Sequence, residues 1–225
     1  MKFDISRRNL TTLEGIEFPD GITMLVCSHN SLTSLKGCPN SVTHLYCKKN
    51  SLTNLEGCPN SVIDLDCRNN SLTSLEDCPN SVRQLSCQNN SLISLQGCPN
   101  SVTDLYCDNN SLISLQGCPN SLTVLYCTNN SLTSLYGCPT SVKLLNRHDN
   151  LLSEDYLDKP LKEIHKINTI KSYKSGIQKL NAIISATKIQ KLWKTYWYDT
   201  LDTNGINRYC HFALSQAQCD GILTI

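Results

Sequence analysis

Large aromatic side chains are scarce in this 225-residue chain, which has three Phe, nine Tyr and two Trp. A compact globule of this size usually fills its centre with rings, so Leu, Val and Cys must fill it here. Net charge is also nearly absent, at +1. Charge balance therefore makes no global case for nucleic acid or an anionic membrane. No stretch approaches the ~18 consecutive apolar residues of a membrane span. The opening segment MKFDISRRNL has no apolar h-region and does not read as a secretory leader. There is no phosphate-binding loop and no Ser/His/Asp set. The five His (His29, His44, His148, His165 and His211) show no ligand spacing. These absences point to an intracellular, cytoplasmic chain with reduced thiols, no cofactor and no metal.

A twenty-residue repeat takes up most of the chain. One unit, Val42 to Ser61, reads VTHLYCKKNSLTNLEGCPNS, and the next, from Val62, reads VIDLDCRNNSLTSLEDCPNS. Further units begin at Ile22, Val82, Val102 and Leu122, and a decaying one at Val142. The alternation around Leu45-Tyr46-Cys47 has period two, so it predicts a half-buried strand with Leu45 and Cys47 inward and His44, Tyr46 and Lys48 outward. One such strand cannot bury its apolar face alone, whereas stacked copies give a parallel sheet and a continuous core. Asn50 and its equivalents (Asn30, Asn70, Asn90, Asn110, Asn130 and Asn150) follow each strand. An amide there can both donate to and accept from backbone groups that leave the ladder, which predicts an asparagine ladder. Pro39, Pro59, Pro79, Pro99, Pro119 and Pro139 disfavour helix on the return limb, so that limb is expected to be extended. The first unit has Ile5 in the Cys slot and about two extra residues before Pro19. The last has Arg147 in that slot, where a charge is costly to bury.

The pattern L-x-x-L-x-L-x-x-N-x-L, with Cys in the third Leu position, resembles the leucine-rich-repeat family over residues 3–152. It is most similar to that family's shortest class, known from bacterial effectors, and to Cys- and Asn-rich proteins of giant DNA viruses. The resemblance implies an α/β-type repeat solenoid: a leucine-rich-repeat horseshoe with a parallel β-sheet, a non-helical convex side and a C-terminal α-helical segment. It divides the chain into a solenoid over 1–152, about seven to eight repeats, and a helical cap or tail over 153–225. It also implies a non-catalytic protein-interaction scaffold whose partner is an unknown protein.

Twelve of the fourteen Cys fall in two columns, one ending the strands (Cys27 to Cys127) and one preceding the prolines (Cys38 to Cys138). Zinc and redox sites favour close Cys-x-x-Cys pairs. The spacings here are eleven and nine, so the expected role is packing as a small hydrophobe. Disulfides between the columns are a minor alternative. Cys210 and Cys219 lie outside the repeat. Some bacterial effectors of this repeat class carry a Cys-dependent ubiquitin ligase after the repeats, so an effector-like ligase using Cys210 is the rival reading, although that catalytic domain is much longer than the tail here.

Within the repeats the scaffold positions are copied while the outward strand positions vary. Those positions are the expected partner face: His44, Tyr46, Lys48, Asp64, Asp66, Arg68, Gln84, Gln88, Asp104, Tyr106, Asp108, Tyr126 and Thr128. Tyr46, Tyr106 and Tyr126 share one column and could anchor a partner, since Tyr is favoured at interfaces; Tyr equally suits a strand. The Asp residues argue against nucleic acid on this face.

Beyond Asn150 the composition changes. Between Lys159 and Tyr198 there are nine Lys and one acid, Glu163. Apolar residues recur at helical spacing, first at Leu161, Ile164 and Ile167, then at Ile177, Leu180 and Ile184. Pro160 is expected to open the first helix and Gly176 to separate it from a second. The helices either cover the open end of the solenoid or bind a partner. The segment ATKIQKLWK from Ala186 to Lys194 resembles the first half of an IQ motif. That resemblance implies a calmodulin-like partner for Ile189, Gln190, Trp193, Lys194 and Trp197, although Thr195 and Asp199 depart from the pattern.

Overall fold

The computed structural model describes the backbone of residues 1–199 and the side chains of residues 1–191. Contacts set residues 1–168 apart as one compact unit, with a second unit beginning at residue 169. The first is a solenoid of eight short strands, β1 (Lys2–Asp4), β2 (Met24–Val26), β3 (His44–Tyr46), β4 (Asp64–Asp66), β5 (Gln84–Ser86), β6 (Asp104–Tyr106), β7 (Val124–Tyr126) and β8 (Leu144–Asn146). They form one parallel sheet in chain order. The pairing advances by 20 residues at every step from β2 onward, as in Leu45↔Leu65, and by 22 between β1 and β2, as in Phe3↔Leu25. The two extra residues of the first unit are thus taken up in its loop, and the register of the sheet is kept.

Each coil places the same side chains inward. Val42, Leu45, Cys47, Leu52 and Leu55 are buried, and their equivalents stack above and below them. Burial of a Leu or Val stabilises by about 1.5–3 kcal/mol. No coil can hide these residues without its neighbours, so that stabilisation belongs to the stack. The return limb is non-helical in every repeat. It is tied to the next coil by backbone bonds such as Ser51 N to Leu32 O, 2.9 Å.

The asparagine ladder is continuous. The Asn90 amide donates to the carbonyls of Cys87 (3.0 Å) in its own coil and Cys67 (3.2 Å) in the preceding one. Its Oδ1 accepts from Leu72 N at 2.9 Å. Asn30, Asn50, Asn70, Asn110, Asn130 and Asn150 donate across their coils in the same way. A serine ladder runs beside it, with Ser61, Ser81, Ser101 and Ser121 hydroxyls donating to Val42, Val62, Val82 and Val102 carbonyls at 2.6–2.7 Å.

The described part of the tail is one helix, α1 (Leu161–Asp199), beginning after Pro160. Gly176 lies inside it, and the expected break is absent. A single Gly costs a helix only about 1 kcal/mol, and the residues around it propagate the helix. The first turns close the solenoid: Ile164 and Tyr156 are fully buried. The Tyr156 hydroxyl donates to Asn168 Oδ1 (2.9 Å), and the Asn168 amide donates to the Leu135 carbonyl (2.8 Å). Arg147, in the last Cys slot, sends its guanidinium to the Lys159 carbonyl at 2.6 Å. Ile177, Leu180 and Ile184 are exposed instead. No helix among the described residues is long and apolar enough to cross a membrane.

Candidate functional site

The outward positions of β3 to β7 form a continuous polar face. Strand alternation sets their direction, because the neighbouring Leu and Cys are held inward by the core. Their side chains already interact. Tyr46 donates its hydroxyl to Asp64 Oδ2 at 2.9 Å. Burial and the Asp64 carboxylate both raise the Tyr46 phenol above its ordinary value, so it stays a donor at neutral pH. Arg68 grips Asp66 with two bonds of 2.8 Å. The sequence predicts Asp66 as an outward residue free to meet a partner. In the structure it is buried beneath Arg68, so what this position presents is largely a guanidinium with its charge matched.

Tyr106 and Tyr126 are register partners with ring centroids 5.2 Å apart. Tyr46 stands on β3, with Asp66 and Ser86 between it and Tyr106. At ~4.8 Å per strand the gap is about 14 Å. The tyrosine column is thus an adjacent pair and a distant single residue. His44 Nδ1 lies 2.9 Å from the Thr43 hydroxyl. Asp104 accepts from the Thr103 hydroxyl (2.7 Å), and Gln84 is exposed.

At the C-terminal ends of the strands a shallow depression of about 410 Å³ is lined by Arg68, Gln88, Asp108, Tyr126, Thr128, Asn146 and the Asn69, Asn89 and Asn109 amides. Three of its atoms are buried yet find no hydrogen-bond partner among the described residues: Gln88 Oε1, Thr128 Oγ1 and Asn146 Oδ1. Groups in that state cost stability unless something outside the chain meets them. Asp108 orders one side by accepting from Thr128 N at 2.9 Å. Asn146 and the row Asn69, Asn89, Asn109 are missing from the site predicted from sequence. The row has a legible signal: these residues adopt φ near +55°, a region that Asn tolerates best after Gly. Lys48 stands beside this row, outside the depression.

The twelve described cysteines are free thiols in the core or at its edge. Burial raises all of them, Cys38, Cys58, Cys98 and Cys138 to about 12 and the strand column further. In that protonated state they are poor nucleophiles at neutral pH. No group of three or more His, Cys, Asp or Glu among the described residues could hold a metal ion. In the tail, Ile189 is exposed on α1 and Gln190 lies beside it. The side chains of Trp193, Lys194 and Trp197, and all of Cys210 and Cys219, lie outside the described residues.

No protein-family model matches the chain, and no curated protein matches it. Among solved structures it is similar to YopM from Yersinia enterocolitica WA-314, with 26% identity and a TM-score of 0.50 over 67% of this chain and 38% of that one. It is also similar to YopM, a leucine-rich effector protein from Yersinia pestis, with 28% identity and a TM-score of 0.51 over 67% of this chain and 50% of that one. The chain spans half or less of the length of these proteins. With the sheet and ladders above, the likeness gives the repeat-bearing part of the chain the fold of a leucine-rich-repeat solenoid.

Proposed function

We propose that this solenoid is a non-catalytic scaffold that binds a partner protein on its outward strand face, centred on the depression at the ends of β4 to β8. The observation that carries the reading is the depression itself, where three buried oxygens without partners sit beside the Tyr106–Tyr126 pair. A protein surface supplies what this set lacks: amide and hydroxyl donors for the oxygens, and an apolar edge for the rings. A site of this breadth suits an extended contact better than a small substrate, and its polar groups include no activated nucleophile.

The test is an affinity capture comparing wild type with a Tyr106→Ala, Tyr126→Ala double variant and with Gln88→Ala. Ile93→Ser, on the exposed return limb, is the control. A partner retained by the control and lost from the face variants supports the reading. Equal recovery from all of them overturns it. The rival ligase reading is answered in the same material: Cys210→Ser leaves a scaffold unchanged and abolishes ubiquitin transfer by a ligase.

A second reading concerns the tail. An uninterrupted helix with Ile189 exposed is the form in which calmodulin-like proteins take a target. Titrating calcium-loaded calmodulin against the full chain, with tryptophan emission as readout, tests it. An unchanged spectrum rejects it.

A further inference from the structure

Among the described residues, seven large apolar residues of α1 beyond the solenoid cap are exposed; Ile183 and Ile189 stand to the side, and the other five fall in a defined order. Ile170, Tyr173, Ile177, Leu180 and Ile184 are spaced three, four, three and four residues apart, and all are at least 41% exposed. That is the 3.5-residue period of a coiled-coil seam, with Ile170, Ile177 and Ile184 at the a positions and Tyr173 and Leu180 at the d positions. On a helical wheel this stripe lies roughly half a turn from Ile164 and Asn168, the residues that close the solenoid. One face of the helix is therefore used by the cap, and a second apolar face is left over further along it.

We propose that this seam pairs with the same seam of a second copy of the chain, as a short parallel two-stranded coiled coil. Three features favour that occupant. Isoleucine stands at every a position, and Leu180 at one of the two d positions; β-branched a residues with Leu at d favour parallel dimers over higher assemblies, and Tyr173 is the one d position that departs from that pattern. In a parallel, in-register pair all five layers are apolar, each residue meeting its own copy. The antiparallel registers that bring a against d leave an end isoleucine facing either Thr187 or Lys166 of the other strand. The flanking positions also suit a self-pair: Thr169 would meet Lys174, Gly176 would meet Asn181 and Ile183 would meet Lys188, so no like charges oppose one another even though the helix is rich in lysine. The seam ends at Thr187 and Lys191, and the short length implies a reversible dimer. Because α1 is anchored by its packed first turns, part of the cost of ordering the helix is met before association. The inference is independent of what the strand face binds.

The test is the solution mass of the full chain across a concentration series, by light scattering or sedimentation. The expected result is a mass that doubles as concentration rises. An Ile177→Asp, Leu180→Asp double variant should weaken the dimer by about tenfold or more. Gln178→Asp, which adds charge beside the seam, should leave it intact. Both variants keep the solenoid, checked by an unchanged thermal transition. Cross-linking in isotopically mixed dimers reports orientation: a short linker should join Lys188 to Lys188 of the second copy. A Lys188 to Lys171 link would overturn the parallel arrangement, since in-register helices hold those residues ~25 Å apart. A monomer at all concentrations, or a dimer unaffected by the double variant, would overturn the pairing. So would a chain that stays monomeric alone and loses calmodulin binding on Ile177→Asp, which would assign the seam to that other occupant.

Discussion

At the scale of single residues, the repeat depends on positions where one atom decides. Gly37, Gly57, Gly97, Gly117 and Gly137 have φ between +82° and +95°, and their missing Cβ lets the preceding coil approach. A Cβ on Gly57 would collide with the Lys36 amide and lie 2.7 Å from the Leu35 carbonyl carbon, whereas on Gly117 its nearest contact would be 3.0 Å. Both substitutions add backbone strain, but only the first forces two backbones apart. Gly57→Ala is expected to cost about 3 kcal/mol and Gly117→Ala about half that, read from denaturant midpoints. Equal losses would show that contact with the preceding coil is not the cause. Asp77 stands in this column without a positive φ, so the turn has a second path there. The ladder amides give a sharper case. Asn90→Ala removes a donor shared among carbonyls and orphans Leu72 N, at a cost of about 2–4 kcal/mol. Asn90→Asp keeps the acceptor but sets a carboxylate against the Cys67 and Cys87 carbonyls. It should be worse than Ala at pH 7. Burial against carbonyls raises the folded carboxyl above the ordinary Asp value, so the deficit should shrink as pH falls toward about 4, where the carboxyl is protonated and donates again. A deficit independent of pH would remove the electrostatic explanation.

At the scale of elements, the strands, the ladder and the extended return limb are legible in the sequence because each is copied many times. The periodicity that specifies Leu45 as core specifies Leu65 and Leu85 in the same way. What is hidden are interactions between unlike residues of neighbouring coils. Nothing in one repeat says that Tyr46 will donate to Asp64 of the next coil, or that Gln88, Thr128 and Asn146, from three different coils, will share a depression. At Gly176 the sequence predicts a break that the helix does not have, for the opposite reason: the propensity of the surrounding residues overrides a local signal. The cysteine columns have a collective consequence. An unfolded thiol titrates near 9.0, while Cys38, Cys58, Cys98 and Cys138 titrate near 12 when folded. A raised folded value means that the folded chain holds the proton longer. Each thiol's contribution is present in full below about pH 9 and is lost as pH rises toward the folded value. Stability should be flat to about pH 8.5 and then fall steeply, as many thiols act together. Tyr46 and Tyr106 shift in the same direction, so the assignment needs a control. Replacing Cys38 and Cys98 by Ala should make the fall shallower, measured as the slope of unfolding free energy against pH; an unchanged slope would point to the tyrosines.

At the scale of the molecule, stability is a sum over neighbouring coils, because each coil touches mainly the ones beside it. The twenty-residue register between β2 and β8 has no slip, so any excision of one full period restores every ladder at the junction. Removing 82–101 joins Ser81 to Val102, which recreates the native Ser-Val step. The asparagine, serine and cysteine columns then continue with one rung fewer, and the sheet keeps seven strands. Such a variant should fold, with a native-like circular dichroism spectrum and a lower denaturant midpoint. Removing ten residues, 82–91, puts the strand sequence out of phase with the core and should leave the C-terminal coils unpaired. The full-period excision also deletes Gln84, Ser86 and Gln88 and brings Asp66 and Arg68 against Tyr106 and Asp108. Fold and recognition are thereby separated: the shortened solenoid should stay cooperative while the strand face loses its partner. If the ten-residue excision folds equally well, register is not what holds the stack together. If the twenty-residue excision folds and still binds at full strength, the contact lies away from the depression.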